Sequence, residues 1–147
     1  MVDVSRKRPT VRTARARALV SLGSAAFRSL DAALNRKGDA LGVARLAGIQ
    51  AAKRTAEWIP LCHPLAFDSV AVSLAPRREA FLVEITTEVV GTGKTGYEME
   101  ALVAASAAAL ALYDMCKAAD KGIEIREIVL LEKTGGKSGR WRRRATG

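Results

Sequence analysis

Only three residues of the chain, His63, Cys62 and Cys116, offer the soft or imidazole ligands that structural zinc sites are built from. A four-ligand site with recognisable spacing is therefore a poor fit, since no Cys-x-x-Cys pair exists. Two cysteines 54 positions apart do not make a disulfide framework, and a reducing cytoplasm is the simplest home. Long apolar runs are absent too. The longest stretch without a charge, "ALVAASAAALALY" (101–113), is 13 residues, short of the roughly 20 that cross a bilayer. "MVDVSRKRP" carries basic residues with no apolar segment after them, so no secretory signal is expected.

Acidic residues are outnumbered, 15 Asp and Glu against 24 Lys and Arg, and the net charge is +9. Its location matters more than its size. Residues 1–17 hold six basic residues and one Asp, and residues 132–147 hold six and one Glu. The ends thus carry +10 and the middle −1. Such ends could meet nucleic acid or polyphosphate, or simply be solvated tails; the single Trp141 among arginines is weak support for base stacking. With 147 residues, 49% of them hydrophobic and 27% charged, the chain reads as one soluble globular domain over 1–147, with 140–147 as a flexible basic tail.

Periodicity orders the elements. Residues 10–22 alternate, with Ala14, Ala16, Ala18, Val20 and Leu22 on one face and Thr13, Arg15 and Arg17 on the other. Arg12 has the parity of the apolar face, so its charge should be paired or bound to something. Ser24 is a plausible N-cap for a short helix through "AAFRSLDAALN". A longer helix is expected from Asp39, as N-cap, to Trp58, ending before Pro60. Strand-like runs follow at about 66–75 and 80–90, joined by "PRRE" as a hairpin turn. The glycine-rich "GTGKTG" (91–96) reads as a loop, then a helix covers 97–119 and a strand 123–132. The order β-α-α-β-β-α-β fits an α+β, ferredoxin-like sandwich, with an antiparallel four-stranded sheet and an extra helix in the first crossover. Because the 97–119 helix lacks a polar stripe, it should be buried on its sheet side and against another subunit, which predicts a homo-oligomer.

Candidate chemistry is spread along this frame. "GTGKTG" and "GGKSG" resemble phosphate loops, but neither has the first glycine of the full P-loop, so ATPase chemistry is disfavoured. Glycine-rich loops can still cradle phosphate through backbone N–H groups, or be ordinary turns. Glu98 and Glu100 sit in the first turn of the long helix, where the dipole alone would favour them. Asp114 and Lys117 share a face near its other end. The dipole disfavours an anion there, and the preceding uncharged run suggests partial burial; they are a simple ion pair or an acid/base pair with shifted pKa values. Glu100 and Asp114 are about 21 Å apart along the helix at 1.5 Å per residue, so one chain cannot bring both to a small substrate. His63, beside Cys62 in "IPLCHPL", is either a packed turn residue or a lone hydrogen-bonding group in a pocket. A Cys–His dyad is poor, because neighbouring side chains in extended chain point apart.

The stretches "GIQAAKRTAEWIPLCHPL", "TGKTGYEMEALVAASAAALALYDMCKA" and "LLEKTGGKSG", with "MVDVS", "TVRTARA" and "KGDALGVARLAGIQ", resemble the MoaC family of cyclic pyranopterin monophosphate synthases. The likeness covers almost the whole chain. It implies a ferredoxin-like subunit in a homohexamer, a trimer of dimers, with active sites between subunits and no metal or redox cofactor. It implies conversion of (8S)-3′,8-cyclo-7,8-dihydroguanosine 5′-triphosphate to cyclic pyranopterin monophosphate and diphosphate in molybdenum cofactor biosynthesis, downstream of a radical SAM GTP cyclase. Carried over residue by residue, it makes Asp114 and Lys117 catalytic. Leu61, Cys62, His63, Glu98, Met99, Glu100, Lys37, Lys133 and Arg12 become substrate-binding. Asp114 and Lys117 would need pKa values drawn towards neutrality to move protons. Tyr97 departs from the small aliphatic residue expected there, and "RWRRRATG" lies outside the family pattern. The competing reading is a non-enzymatic nucleic-acid binder using the basic ends.

Overall fold

A computed structural model of the chain describes residues 1–144. Strand β1 (Thr10–Ser21) leads through α1 (Gly23–Arg28), α2 (Ala40–Ala52) and the single turn α3 (Thr55–Trp58) to β2 (Ser69–Arg77). β3 (Leu82–Gly93), α4 (Glu98–Cys116), β4 (Glu124–Thr134) and β5 (Trp141–Arg142) follow. All strand pairs are antiparallel, in the order β2-β3-β1-β4-β5. The fold is α+β and compatible with a ferredoxin-like sandwich.

The alternation of β1 sets the layering. Ala14, Ala16, Ala18 and Val20 are fully buried beneath the helices, while Arg15 and Arg17 stand on the opposite, open face of the sheet. These alanines let α4 come close, and α4 answers with Ala101, Ala104, Ala105 and Ala108, all at 0% exposure. A buried Thr87 hydroxyl donates to the Ala101 carbonyl (2.8 Å) and ties β3 to α4. α2 packs along α4 and over β2. By length and apolar composition α4 could cross a bilayer, but its apolar faces are taken up by the sheet and α2. Within 101–113 only Leu110 is exposed. So α2, rather than another subunit, accounts for most of the burial that the missing polar stripe predicted.

Several local expectations change. The sheet has five strands, not four: Trp141 and Arg142 pair with Lys133 and Glu132. The Arg143 amide donates to the Leu131 carbonyl (2.8 Å) and holds the added strand in place. The first part of the stretch read as a flexible tail is therefore sheet, and its residues 145–147 lie outside the described residues. Ser24 is inside α1 rather than capping it; the cap position is Leu22, with no side-chain cap. The helix expected from 39 to 58 is interrupted at Lys53-Arg54. The Thr55 hydroxyl donates to the Ala52 carbonyl (3.0 Å), taking the acceptor that a continuing helix would use. Asp39 does cap α2, accepting from the Gly42 amide at 2.9 Å. The β2–β3 turn falls at Arg78–Phe81 rather than at "PRRE". β3 runs through Gly93, so half of "GTGKTG" is strand. A Cβ on Gly91 would lie 2.6 Å from the Tyr97 hydroxyl, which gives this glycine a packing role: it makes room for the Tyr97 ring.

Candidate functional site

Two groups of the predicted residues gather at opposite ends of α4. At its start, a cavity of about 450 Å³ is lined by Leu61, Cys62 and His63 of the "IPLCHPL" segment and by Glu98, Met99 and Glu100 of the first helical turn. The segment is placed by Tyr97, whose hydroxyl donates to the Ala66 carbonyl (3.0 Å), and by the Cys62 amide, which donates to Ile59 (3.0 Å). Glu100 is 2% exposed. Burial pushes its carboxyl up from the usual value, helped by the neighbouring Glu98 charge and opposed by a backbone hydrogen bond. Burial, and then the Glu100 charge, push the Cys62 thiol up, so this cysteine is a wall and not a thiolate. The acid-rich floor with an imidazole beside it suits a heterocycle that presents several N–H groups.

At the other end of α4, Asp114 is held between two ammonium groups. Lys37 Nζ lies 2.6 Å from Oδ2 and Lys117 Nζ lies 2.7 Å from Oδ1. Lys37 reaches it because Asn35 fastens its loop: the Asn35 amide donates to the carbonyls of Ser29 (3.0 Å) and Met115 (3.1 Å). The Asn35 side chain also accepts from the Lys37 amide (2.9 Å). The sequence suggested partial burial and left open a simple ion pair or an acid/base pair with shifted pKa values. Within one chain the ion pair forms, and Asp114 is more exposed than expected. Asp114 is about half exposed, at 53%. The hydrogen bonds from Lys117 and then Lys37 hold its carboxyl down to about 2, and the Asp114 carboxylate raises Lys117. The physical reason is that nothing among the described residues covers the triad, so pairing outweighs desolvation.

A third, cationic region adjoins the first. Arg12 has the part-buried position its parity predicted, but its charge meets no carboxylate among the described residues. Its Nε donates to the Gly93 carbonyl (3.0 Å) and a terminal nitrogen to Lys94 (3.4 Å). Arg12 lines a cavity of about 590 Å³ together with Lys7, Arg8 and Lys137. Gly135 and Gly136, at φ 87° and 72°, fold the loop tightly over Arg12; a Cβ on Gly136 would strike its guanidinium at 2.4 Å. Lys133 stands behind this loop, its ammonium on the Ser138 hydroxyl.

Sequence reasoning missed the N-terminal segment. Val2, Val4 and Lys7 line the His63 cavity, and Lys7 lines the Arg12 cavity as well. The Lys94 ammonium donates to the Ser5 carbonyl (3.0 Å) and holds the segment there. The signals were the stretch "MVDVS", which carries part of the family resemblance, and the basic run "SRKR", which composition alone cannot separate from a solvated tail. Among the described residues no cluster of three His, Cys, Asp or Glu could hold a metal ion.

These residues coincide with a known sequence pattern: the profile of the MoaC family matches residues 1–136. The chain belongs to the MoaC family. Relatives within it agree over nearly the full length. The chain is 54% identical over 143 residues to the cyclic pyranopterin monophosphate synthase of Geotalea uraniireducens, covering 97% of this chain and 89% of that one. It is 53% identical to the synthase of Geobacter metallireducens over the same shares. It is 51% identical over 146 residues to cyclic pyranopterin monophosphate synthase 1 of Mycobacterium tuberculosis, covering 99% and 85%. The Arg-rich end of this MoaC member falls beyond the matched region.

Proposed function

We propose that this protein is a cyclic pyranopterin monophosphate synthase, a phosphorus–oxygen lyase of molybdenum cofactor biosynthesis. The observation that carries the reading is the match over nearly the whole chain to synthases more than 50% identical. The geometry supports it. The substrate is the cyclised, GTP-derived triphosphate made by a radical SAM cyclase, and its two ends ask for different surroundings. Its heterocycle suits the His63, Glu98 and Glu100 cavity. Its phosphates suit the adjoining cations Lys7, Arg12 and Lys133. The cytoplasm, where GTP is made and used, is the expected compartment.

The reaction opens the purine-derived ring, closes the pterin and closes a cyclic phosphate. In the last step an oxygen of the sugar-derived chain bonds to the α-phosphorus while the bond to the β-phosphate breaks and diphosphate leaves. That displacement needs held charge and alignment, which the cations supply. The ring steps need protons moved at nitrogen and carbon. Asp114 and Lys117 are the groups for this, once a second chain covers them and removes water: desolvation pushes the Asp114 carboxyl up and the Lys117 ammonium down. The start of α4 in one subunit then faces the end of α4 in another, in a ferredoxin-like subunit assembled as a homohexamer. Leu46, Trp58 and Leu110, exposed at 61%, 49% and 54%, give the helix layer an apolar surface for that contact.

The test is to supply the cyclised triphosphate and measure pterin product and diphosphate. Wild-type protein should release both in equal amounts. Asp114→Asn and Lys117→Ala should each lower turnover at least 100-fold while the assembly stays intact by light scattering. Wild-type protein that yields neither product would overturn the assignment. A protein that instead binds DNA with strong salt dependence, lost on removing residues 140–147, would be the nucleic-acid binder.

A further inference from the structure

The open face of the sheet, opposite the helices and α4, carries a second cationic cavity of about 460 Å³. β1 contributes Arg15 and Arg17, β4 contributes Glu127 and Glu132, and the last described residues contribute Arg142, Arg143 and Arg144. Charges here do not cancel. Glu127 is taken by Arg17 (2.8 Å), Glu132 by Arg140 (2.5 Å) and the nearby Glu88 by Arg15 (3.4 Å). Arg142, Arg143 and Arg144 have no carboxylate among the described residues. Nor is the cluster loose chain. β5 pairs with Glu132 and Lys133, and Arg143 is fixed twice, its amide on Leu131 and its Nε on Leu130, both at 2.8 Å.

We propose that this cavity is a second anion site, separate from the synthase pocket, that takes a polyphosphate chain. Guanidinium forks match phosphate oxygens in pairs, and three surplus cations around two already-paired carboxylates call for a ligand of several negative charges. The cavity has room for a whole nucleoside triphosphate as well as for an inorganic chain. Three of its arginines, Arg142, Arg143 and Arg144, lie beyond residue 136, where the match to the family profile ends.

The experiment is calorimetric titration of the full-length protein with inorganic tripolyphosphate, and separately with a non-hydrolysable nucleoside triphosphate. Wild type should bind tripolyphosphate at two classes of site. R142A/R143A/R144A should lose one class, weakened at least tenfold, while synthase turnover and assembly size stay as in wild type. Equal affinity for both probes would assign the site to the phosphate chain alone, and a tenfold preference for the nucleotide would add base recognition. Wild type with one class of site, unchanged in the triple variant, overturns the proposal. So does a triple variant whose assembly falls apart, because the face is then a subunit contact. Binding of a DNA duplex tighter than tripolyphosphate, lost in the triple variant, makes it a nucleic-acid surface instead.

Discussion

Glu100 and Asp114 show how surroundings set the role of a carboxylate. Both sit on α4, yet one is buried with a raised pKa and the other is exposed with a pKa held down to about 2. Their effects on stability run in opposite senses. Asp114 gains from its two ammonium partners at any pH above the ordinary value of 3.8, and loses that gain as pH falls towards 2. Lys117, raised above 10.5, keeps its share until strongly alkaline pH. Glu100 is the reverse case. Its folded pKa lies above 4.5, so the folded state binds the proton more tightly, and stability falls as pH rises through that window. A neutral isostere removes the penalty. Glu100→Gln should therefore melt a few degrees above wild type at pH 8, with the gain shrinking towards pH 4, while losing substrate binding. Thermal melts across that range check it; equal melting at pH 8 would show that Glu100 carries no desolvation cost.

The elements were legible where a simple period governed them. The alternation over 10–22 placed four apolar residues of β1 and Leu22 just after it correctly, and put Arg12 on the inner face. Asp39 was readable as a cap because its carboxylate has only to reach an amide three residues on. What the sequence hid depended on contacts far along the chain. The break after Ala52 turns on one Thr55 hydroxyl, and β5 exists because Arg143 finds carbonyls on β4. Gly91 looked like a phosphate loop because the ring it accommodates, Tyr97, meets it only once the chain folds back. At the site, the separation of Glu98 and Glu100 from Asp114 and Lys117 along α4 was readable, but the exposure of Asp114 and the reach of Lys7 into two cavities were not. Tight helix packing offers a test of the same kind. A Cβ on Gly48 of α2 would sit 2.9 Å from the Ala104 carbonyl of α4 and 3.2 Å from Val72. Both are fixed in the core, so the helices must move apart. Gly48→Ala should cost about 1–3 kcal/mol in denaturant unfolding despite alanine's better helix propensity. An unchanged or higher midpoint would mean that the α2–α4 contact is slack.

For the whole molecule, the length of α4 decides the argument. Its two clusters are separated by 14 residues, about 21 Å of helix, and the proposed function divides binding and proton transfer between them. On that proposal a single subunit holds both halves of a site but cannot close them on one substrate. Complementation separates this arrangement from a site within one chain. Glu100→Gln and Asp114→Asn chains, each inactive alone, are unfolded together and refolded into mixed assemblies. If each site takes its Glu100 from one chain and its Asp114 from another, an equal mixture restores both wild-type residues at about a quarter of the sites. Activity should then return to about a quarter of the wild-type level, whereas the two variants refolded separately and then combined should stay inactive. If sites lie within single chains, every chain still carries one lesion and mixing restores nothing. The recovered fraction, read against the mixing ratio, thus reports directly on how many subunits build one active site.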